Sequence, residues 1–93
     1  MEYPEATEAL GKVADEIRFN SWLVMYLRIT EFAWYQYQNG ILDKTSWESY
    51  MAPTVAVFEA DRARRVWESH IIRLDPGFRA HIDEALAKAA KVA

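Results

Sequence analysis

Apolar residues recur every three or four positions along almost the whole chain, which is the spacing of helices rather than strands. Segment 1–21 shows this pattern, and segment 22–38 is apolar on most of its sides. We expect the two segments to form one long helix, with two helices as the alternative. Asn39 and Gly40 tolerate left-handed backbone and predict the end of this helix. The apolar positions of the first segment are Leu10, Val13, Ala14 and Ile17.

A second helix is predicted over residues 45–60. The stretch TSWE at 45–48 matches a capping box, in which side chains bond the free N–H groups of the first turn. Asp43 is the competing cap. Pro53 lies inside this helix, where we expect a kink or a short break, because proline lacks the N–H that helical hydrogen bonding requires.

Two further helices are predicted in the C-terminal third. Segment 62–74 carries an amphipathic stripe, and Asp75-Pro76 places a capping residue before a proline at the first position of a helix over 76–91. The sequence therefore predicts an all-α domain, a small bundle of about four helices without strands, in which helix 22–38 is central. The stripe of segment 62–74 consists of Ala63, Val66, Trp67, His70, Ile71 and Leu74.

The composition fits a single small domain with aromatic rings to spare. Of 93 residues, 52% are hydrophobic, and 4 Trp, 5 Tyr and 4 Phe are enough to fill a core and leave some rings for a partner. Helical domains of this length often complete their core by association. We expect a homo-oligomer, most simply a dimer, with an unidentified protein partner as the alternative.

Charge and residue usage narrow the functional classes. A net charge of −3 argues against nucleic-acid binding, which requires a basic excess. The absence of cysteine excludes disulfides and thiolate chemistry, and no motif indicates a cofactor. The N-terminus is acidic and unlike a signal peptide. The most apolar run, 22–29, is shorter than the roughly 20 residues that span a bilayer. We expect a soluble cytoplasmic chain without a membrane span.

The two histidines and their acidic neighbours do not predict a metal or catalytic site. Neither His70 nor His81 has a potential ligand four residues away on its own helix, the usual sign of a helical metal site. His81 and Glu84 can face each other, but two ligands are too few. We expect His70 to be partly buried on the apolar stripe, with a pH-responsive contact as the alternative. The chain is predicted not to be an enzyme.

The long helix contains the best candidate residues for an interaction. Trp34, Tyr35 and Tyr37 point in different directions on a helix, so at least one ring is expected to meet a partner. Arg28 and Glu31 can form an ion pair one turn apart. The leading hypothesis is a non-enzymatic helical module that self-associates through this helix. The candidate interaction or pocket residues are Arg28, Glu31, Trp34, Tyr35, Tyr37, Trp47, Trp67 and His70.

The alternative hypothesis is a bundle that binds a small molecule in an aromatic pocket. The Arg28–Glu31 pair would supply its polar groups. The aromatic residues expected to form its walls are Trp22, Tyr26, Trp47 and Trp67.

Three motifs resemble a family of short, uncharacterised bacterial helical proteins. They are G-x-L-D-x-x-x-W at 40–47, R-V-W-E at 65–68 and D-P-G-F-R-x-x-I-D at 75–83. The family's pattern reads G-x-L-D-x-x-x-W, a Pro-Gly turn, W-W-E and S-P-x-F-R-x-x-V-D, and the resemblance covers about two-thirds of the chain. This chain has Ala60-Asp61 at the Pro-Gly turn. The resemblance implies a helical fold and no known activity. Many members carry a membrane-anchoring helix ahead of this region, so this chain would be a soluble relative or a fragment.

Overall fold

The chain folds into a small all-α bundle, which confirms the predicted fold class. The computed structural model describes residues 4–92, and this range contains no strand. Residues 1–3 of the predicted N-terminal segment lie outside the described range. The helices in that range are α1 (Pro4–Gln38), α2 (Lys44–Val57), α3 (Asp61–Glu68) and α4 (Pro76–Val92).

The first helix is continuous and much longer than the others. Its 35 residues pass through Asn20 and Ser21 without interruption, and at 1.5 Å per residue they span about 52 Å. Residues 5–13 are exposed on every side of the helix. We call this stretch the N-terminal arm; it accounts for part of the elongated shape of the molecule, 61 × 29 × 21 Å. Phe19 is the first large side chain of α1 to pack partly against the core.

The C-terminal end of α1 and the start of α2 lie where the sequence predicts them, but the residue that caps α2 differs. Gly40 has a φ of 76°, the left-handed backbone that ends α1 after Gln38. Asp43, and not the predicted box at Thr45, caps α2, because its carboxylate accepts the N–H of Ser46 at 2.7 Å. This hydrogen bond lowers the pKa of Asp43.

Helix α2 runs without a break through Pro53 and ends at Val57, three residues earlier than predicted. The expected break is therefore absent, while a kink there stays a prediction. Trp47 and Thr54, on either side of the proline, are both buried. Packing of this face holds the helix together although one backbone hydrogen bond is missing.

Helix α3 is shorter than predicted, and this changes which side chains face inward. It ends at Glu68, because His70 adopts a left-handed backbone with a φ of 58°. The hydroxyl of Ser69 donates to the carbonyl of Val66 and accepts the N–H of Ile71, which stabilises the turn. The prediction that His70 and Ile71 belong to a buried stripe is wrong, since both are exposed and Ile72 is buried instead.

The core draws on all four helices and on the loop before α4. Aromatic rings occupy its centre, where Phe58 lies 5.1 Å from Trp67 between ring centroids. The second half of α1 is central in the bundle, as predicted, because its residues Leu23 and Leu27 are fully buried. The buried hydrophobic residues are Leu23, Leu27, Ala33, Trp47, Phe58, Ala63, Trp67, Ile72, Phe78 and Ile82.

Candidate interaction surface

Helix α1 carries large apolar side chains on its exposed side as well as on its buried side. One face is buried and includes Leu23, Leu27 and Thr30. The opposite face carries large apolar side chains that remain exposed: Trp22 by 47%, Met25 by 63%, Ile29 by 59% and Phe32 by 63%. Their spacing of three, four and three residues places them along one side of the helix.

Further exposed apolar residues lie toward the N-terminus of α1. At about 100° per residue, Leu10 and Ile17 lie roughly 40–80° around the helix from Met25 and Phe32, and Val13 lies about 100° from Phe32. We define the outer stripe as the exposed residues Leu10, Val13, Ile17, Trp22, Met25, Ile29 and Phe32.

The outer stripe is large for a molecule of this size. With roughly 150–250 Å² for each large side chain, the exposed fractions leave on the order of 600–1,000 Å² of surface on these residues. The largest apolar patch on a typical monomer is about 300–600 Å², whereas one partner in a standard protein interface buries about 800 Å². The stripe therefore has the size of an interface.

Arg28, Glu31 and Tyr35 lie beside the outer stripe and join α1 to the start of α4. The carboxylate of Glu31, which is buried, receives Arg28 Nη1 at 3.2 Å and the backbone N–H of Asp75 at 2.7 Å. The hydroxyl of Tyr35 donates to Asp75 at 3.0 Å. The same aspartate caps α4 as predicted, accepting the N–H of Gly77 at 2.8 Å. The predicted ion pair is thus part of a structural corner.

The hydrogen bond between Tyr35 and Asp75 shifts the ionisation of both groups. Donation of the phenol proton stabilises the carboxylate, so the pKa of Asp75 lies below its usual value. The same bond, with the nearby negative charges of Asp75 and Glu31, raises the pKa of Tyr35. The Tyr35–Asp75 hydrogen bond therefore contributes stability at pH values where the carboxyl of Asp75 is ionised and the phenol of Tyr35 is protonated.

Trp34 and Tyr37 turn toward other helices rather than toward the outer stripe. The ring of Trp34 lies 5.9 Å from that of Phe78, and a Cβ on Gly77 would meet its indole at 3.0 Å. Tyr37 stacks on Trp47, with centroids 5.7 Å apart and planes 9° apart. Both rings are half-buried and connect α1 to neighbouring elements.

The remaining predicted residues are divided between the core and a loop. Trp47 is buried and donates its indole N–H to His81 Nε2 at 3.3 Å. Trp67 is buried and donates to Asp83 at 2.7 Å. His70 is exposed in the turn after α3. Each buried indole N–H thus finds an acceptor on α4, as buried tryptophans generally require.

The aromatic pocket predicted as an alternative does not form from its four expected residues. Trp22 stacks on Tyr26 at 5.5 Å on the partly exposed side of α1, while Trp47 and Trp67 bond different residues of α4. A groove of about 320 Å³ does lie between α2 and α4. Its lining includes the Tyr37–Trp47 stack, His81 and the charged ends of Lys44 and Glu48.

Within residues 4–92, no three His, Asp or Glu side chains come close enough together to hold a metal ion. None of the helices in this range has a sufficiently long apolar segment to cross a bilayer.

Met25 and Phe32, two members of the outer stripe, are not among the candidate residues predicted from the sequence. A partial signal was present, because residues 10 and 32 are separated by about six helical turns and so lie within about 40° of each other around the helix. Reading it requires that residues 4–38 form one uninterrupted helix, so that the phase carries across Asn20 and Ser21.

Comparison of the chain with protein-family models, with curated proteins and with solved structures finds no match. The resemblance to the family of short bacterial proteins therefore stays a prediction, and the geometry described above is the basis for the function proposed below.

Proposed function

We propose that this chain is a non-enzymatic helical module that self-associates through the outer stripe of α1. The observation that carries the proposal is the extent of the stripe, which offers about as much surface as one partner buries in a standard interface. Water in contact with so much apolar surface disfavours the free monomer, and association of two copies would remove it.

The N-terminal arm supports the same proposal. Residues 5–13 are helical although exposed on every side. Short helices are marginal in water and usually take most of their stability from packing of an apolar face. The arm has an exposed apolar side at Leu10 and Val13 but few neighbours in its own chain. A partner helix would supply the missing packing.

Sedimentation velocity of the full chain over low to high micromolar concentrations tests the proposal. We expect a concentration-dependent shift from monomer to dimer. The substitution Ile29→Glu places a charge in the outer stripe and should yield a monomer with an unchanged helical spectrum. Ile71→Glu is the matched control, because Ile71 is 76% exposed in the loop before α4 and lies outside the stripe.

The control variant should dimerise like the wild type. A wild-type chain that remains a clean monomer at several hundred micromolar would contradict self-association. Equal loss of assembly in the two isoleucine variants would show that the outer stripe is not the contact.

A second candidate function is small-molecule binding in the groove between α2 and α4. The stacked Tyr37–Trp47 pair gives this groove an aromatic wall, and Lys44, Glu48 and His81 give it polar groups. A planar ligand with a charged substituent would fit that chemistry. In a thermal-shift screen, such a ligand raises the melting temperature with concentration, because it binds only the folded state. Loss of the shift in Lys44→Ala would locate the binding to the groove.

A further inference from the structure

We infer that the contact between Trp47 and His81 is sensitive to pH: it joins α2 to α4 while the imidazole is neutral and is broken when the imidazole takes up a proton. The contact forms one wall of the groove between α2 and α4, and its behaviour does not depend on self-association of the chain. Three features support this: the direction of one hydrogen bond, the burial of its donor and the charges around the groove.

The hydrogen bond between Trp47 and His81 defines the protonation state of the histidine. The indole N–H of Trp47 can only donate, and it donates to His81 Nε2 at 3.3 Å. Nε2 therefore accepts through its lone pair, and the one ring hydrogen of the neutral imidazole lies on Nδ1. An imidazolium carries hydrogen on both nitrogens. Because neither nitrogen can then accept, no rotation of the ring restores the bond.

Trp47 is packed so that loss of this acceptor affects three helices. It is only 3% exposed, and a buried donor without an acceptor costs more than the hydrogen bond itself contributes. Its indole stacks on Tyr37 of α1, with ring centroids 5.7 Å apart, and lies 5.6 Å from the ring of His81 on α4. Displacement of Trp47 would therefore disturb contacts of α1, α2 and α4 together.

Two effects favour the protonated form, and neither compensates for the lost acceptor. An imidazolium beside the indole ring would gain a cation–π contact, but such contacts are weak where the cation is half-exposed, as His81 is. The carboxylates of the groove are already paired with lysines of their own helices, at 3.9 Å on α2 and 3.2 Å on α4. The ionisable groups that line the groove with His81 are Tyr37 of α1, Lys44 and Glu48 of α2, and Glu84 and Lys88 of α4.

Stability should fall as the pH decreases through the range in which histidine titrates. An unfolded histidine takes up a proton at about pH 6.5, whereas in the folded chain the proton must displace the indole N–H from Nε2 of His81. The unfolded state therefore binds more protons in mildly acid solution, and proton uptake shifts the equilibrium toward it. Within the folded state, the same uptake should loosen the wall of the groove.

Thermal unfolding of the full chain from about pH 8 to about pH 5 tests the inference at one protein concentration. His81→Gln supplies an amide oxygen, which accepts a hydrogen bond and does not titrate. The melting temperature of the wild type should fall by about 4–8 °C more than that of the variant, which is the change expected for one hydrogen bond in a domain of this length. His70→Gln is the matched control, since His70 is the other histidine and is exposed; it should follow the wild type.

The indole N–H resonances of the wild type report the contact without any change at residue 81. In ¹⁵N-labelled protein, the resonance of Trp47 should shift over the same pH range, with the same midpoint as the ring protons of His81. The resonance of Trp67 is the internal reference, because its N–H is donated to Asp83 at 2.7 Å and not to an imidazole.

The outcomes either support or overturn the pH-sensitive contact. Parallel melting curves for the wild type and a folded His81→Gln would overturn it, as would a Trp47 resonance that stays fixed while His81 titrates. A wild type that gains stability relative to the variant on acidification would also overturn it, because the imidazolium would then be the better-held form. If His81→Gln does not fold, the Trp47 resonance decides alone.

Discussion

The carboxylate of Glu31 accepts the backbone N–H of Asp75 at 2.7 Å, a contact between residues 44 positions apart in the chain. It fixes the middle of the long helix to the residue that caps α4. Tyr35 reaches the same aspartate from one turn further along α1. The angle at which α4 leaves the loop therefore depends on polar groups of α1, and substitutions in this corner have distinct predicted effects.

Glu31→Ala should destabilise the fold by about 1–3 kcal/mol, because it leaves the N–H of Asp75 without its acceptor. Glu31→Gln keeps an oxygen at that place and should cost less. Urea unfolding measures both. Glu48→Ala is the matched control, since Glu48 forms an exposed ion pair with Lys44 at 3.9 Å. An exposed pair of this kind contributes about 0–1 kcal/mol. Equal losses in Glu31→Ala and Glu48→Ala would contradict the structural role of the corner.

Stability should depend on pH through the bond between Tyr35 and Asp75. The lowered pKa of Asp75 means that its contribution is present above its unfolded value, about 3.9, and is lost as the pH falls through the folded pKa. The raised pKa of Tyr35 means that its contribution is present below about pH 10 and is lost as the pH rises through the folded pKa.

Tyr35→Phe removes that hydrogen bond and tests the loss of stability at acid pH and at alkaline pH together. The difference in melting temperature between wild type and variant should be largest near neutral pH and shrink toward pH 3 and toward pH 11. Taking the difference cancels groups common to both chains, including Asp43, whose pKa is lowered by Ser46. A difference that stays constant from acid to alkali would contradict the predicted linkage.

Two phenylalanines provide a matched comparison of the core with the outer stripe. Phe58→Ala should cost about 3–5 kcal/mol, because the ring is fully buried and its removal leaves a cavity. Phe32→Ala removes a ring that is 63% exposed and should change monomer stability by no more than about 0.5 kcal/mol. Denaturant unfolding at submicromolar concentration isolates the monomer. A loss in Phe32→Ala comparable to that of Phe58→Ala would show that the ring packs within its own chain.

The backbone conformation of His70 predicts whether a glycine substitution raises or lowers the stability of the fold. At a φ of 58°, a residue with a Cβ is strained by about 1–2 kcal/mol relative to glycine. His70→Gly should therefore stabilise the fold by up to about 1 kcal/mol. If residue 70 were helical, as the sequence pattern predicts, the same change would destabilise by a few tenths of a kcal/mol or more. Thermal unfolding of His70→Gly and His70→Ala decides between the two, since alanine would stabilise only the helical case.

The helical architecture could be predicted because its signals are local. Gly40 and Asp75-Pro76 act through the backbone of their immediate neighbours, and both ends that they mark are observed. The end of α3 could not be predicted in this way. It depends on the hydrogen bond from Ser69 back to Val66 and on Arg79, which donates to the carbonyl of Trp67, 12 residues earlier in the sequence. Tertiary contacts overrode a good amphipathic pattern.

The side chains of the candidate residues also depend on tertiary contacts that the sequence does not reveal. The sequence predicts that Trp34, Tyr35 and Tyr37 cannot share one core, and they do diverge. It could not tell which direction leads to solvent, because that depends on where α4 crosses α1. The crossing at Gly77 covers Trp34 and leaves the opposite side of the helix, with Phe32, exposed.

The distribution of the four tryptophans gives the chain an intrinsic optical probe. Trp47 and Trp67 are buried and hydrogen-bonded to α4, and Trp34 packs on Phe78. Trp22 alone belongs to the outer stripe. Replacing the three inner indoles in turn would assign their emission, and the red-edge, iodide-quenchable component that remains belongs to Trp22. Covering of the stripe would move that component to shorter wavelength and shield it from the quencher, so unlabelled protein reports its own assembly as it is diluted.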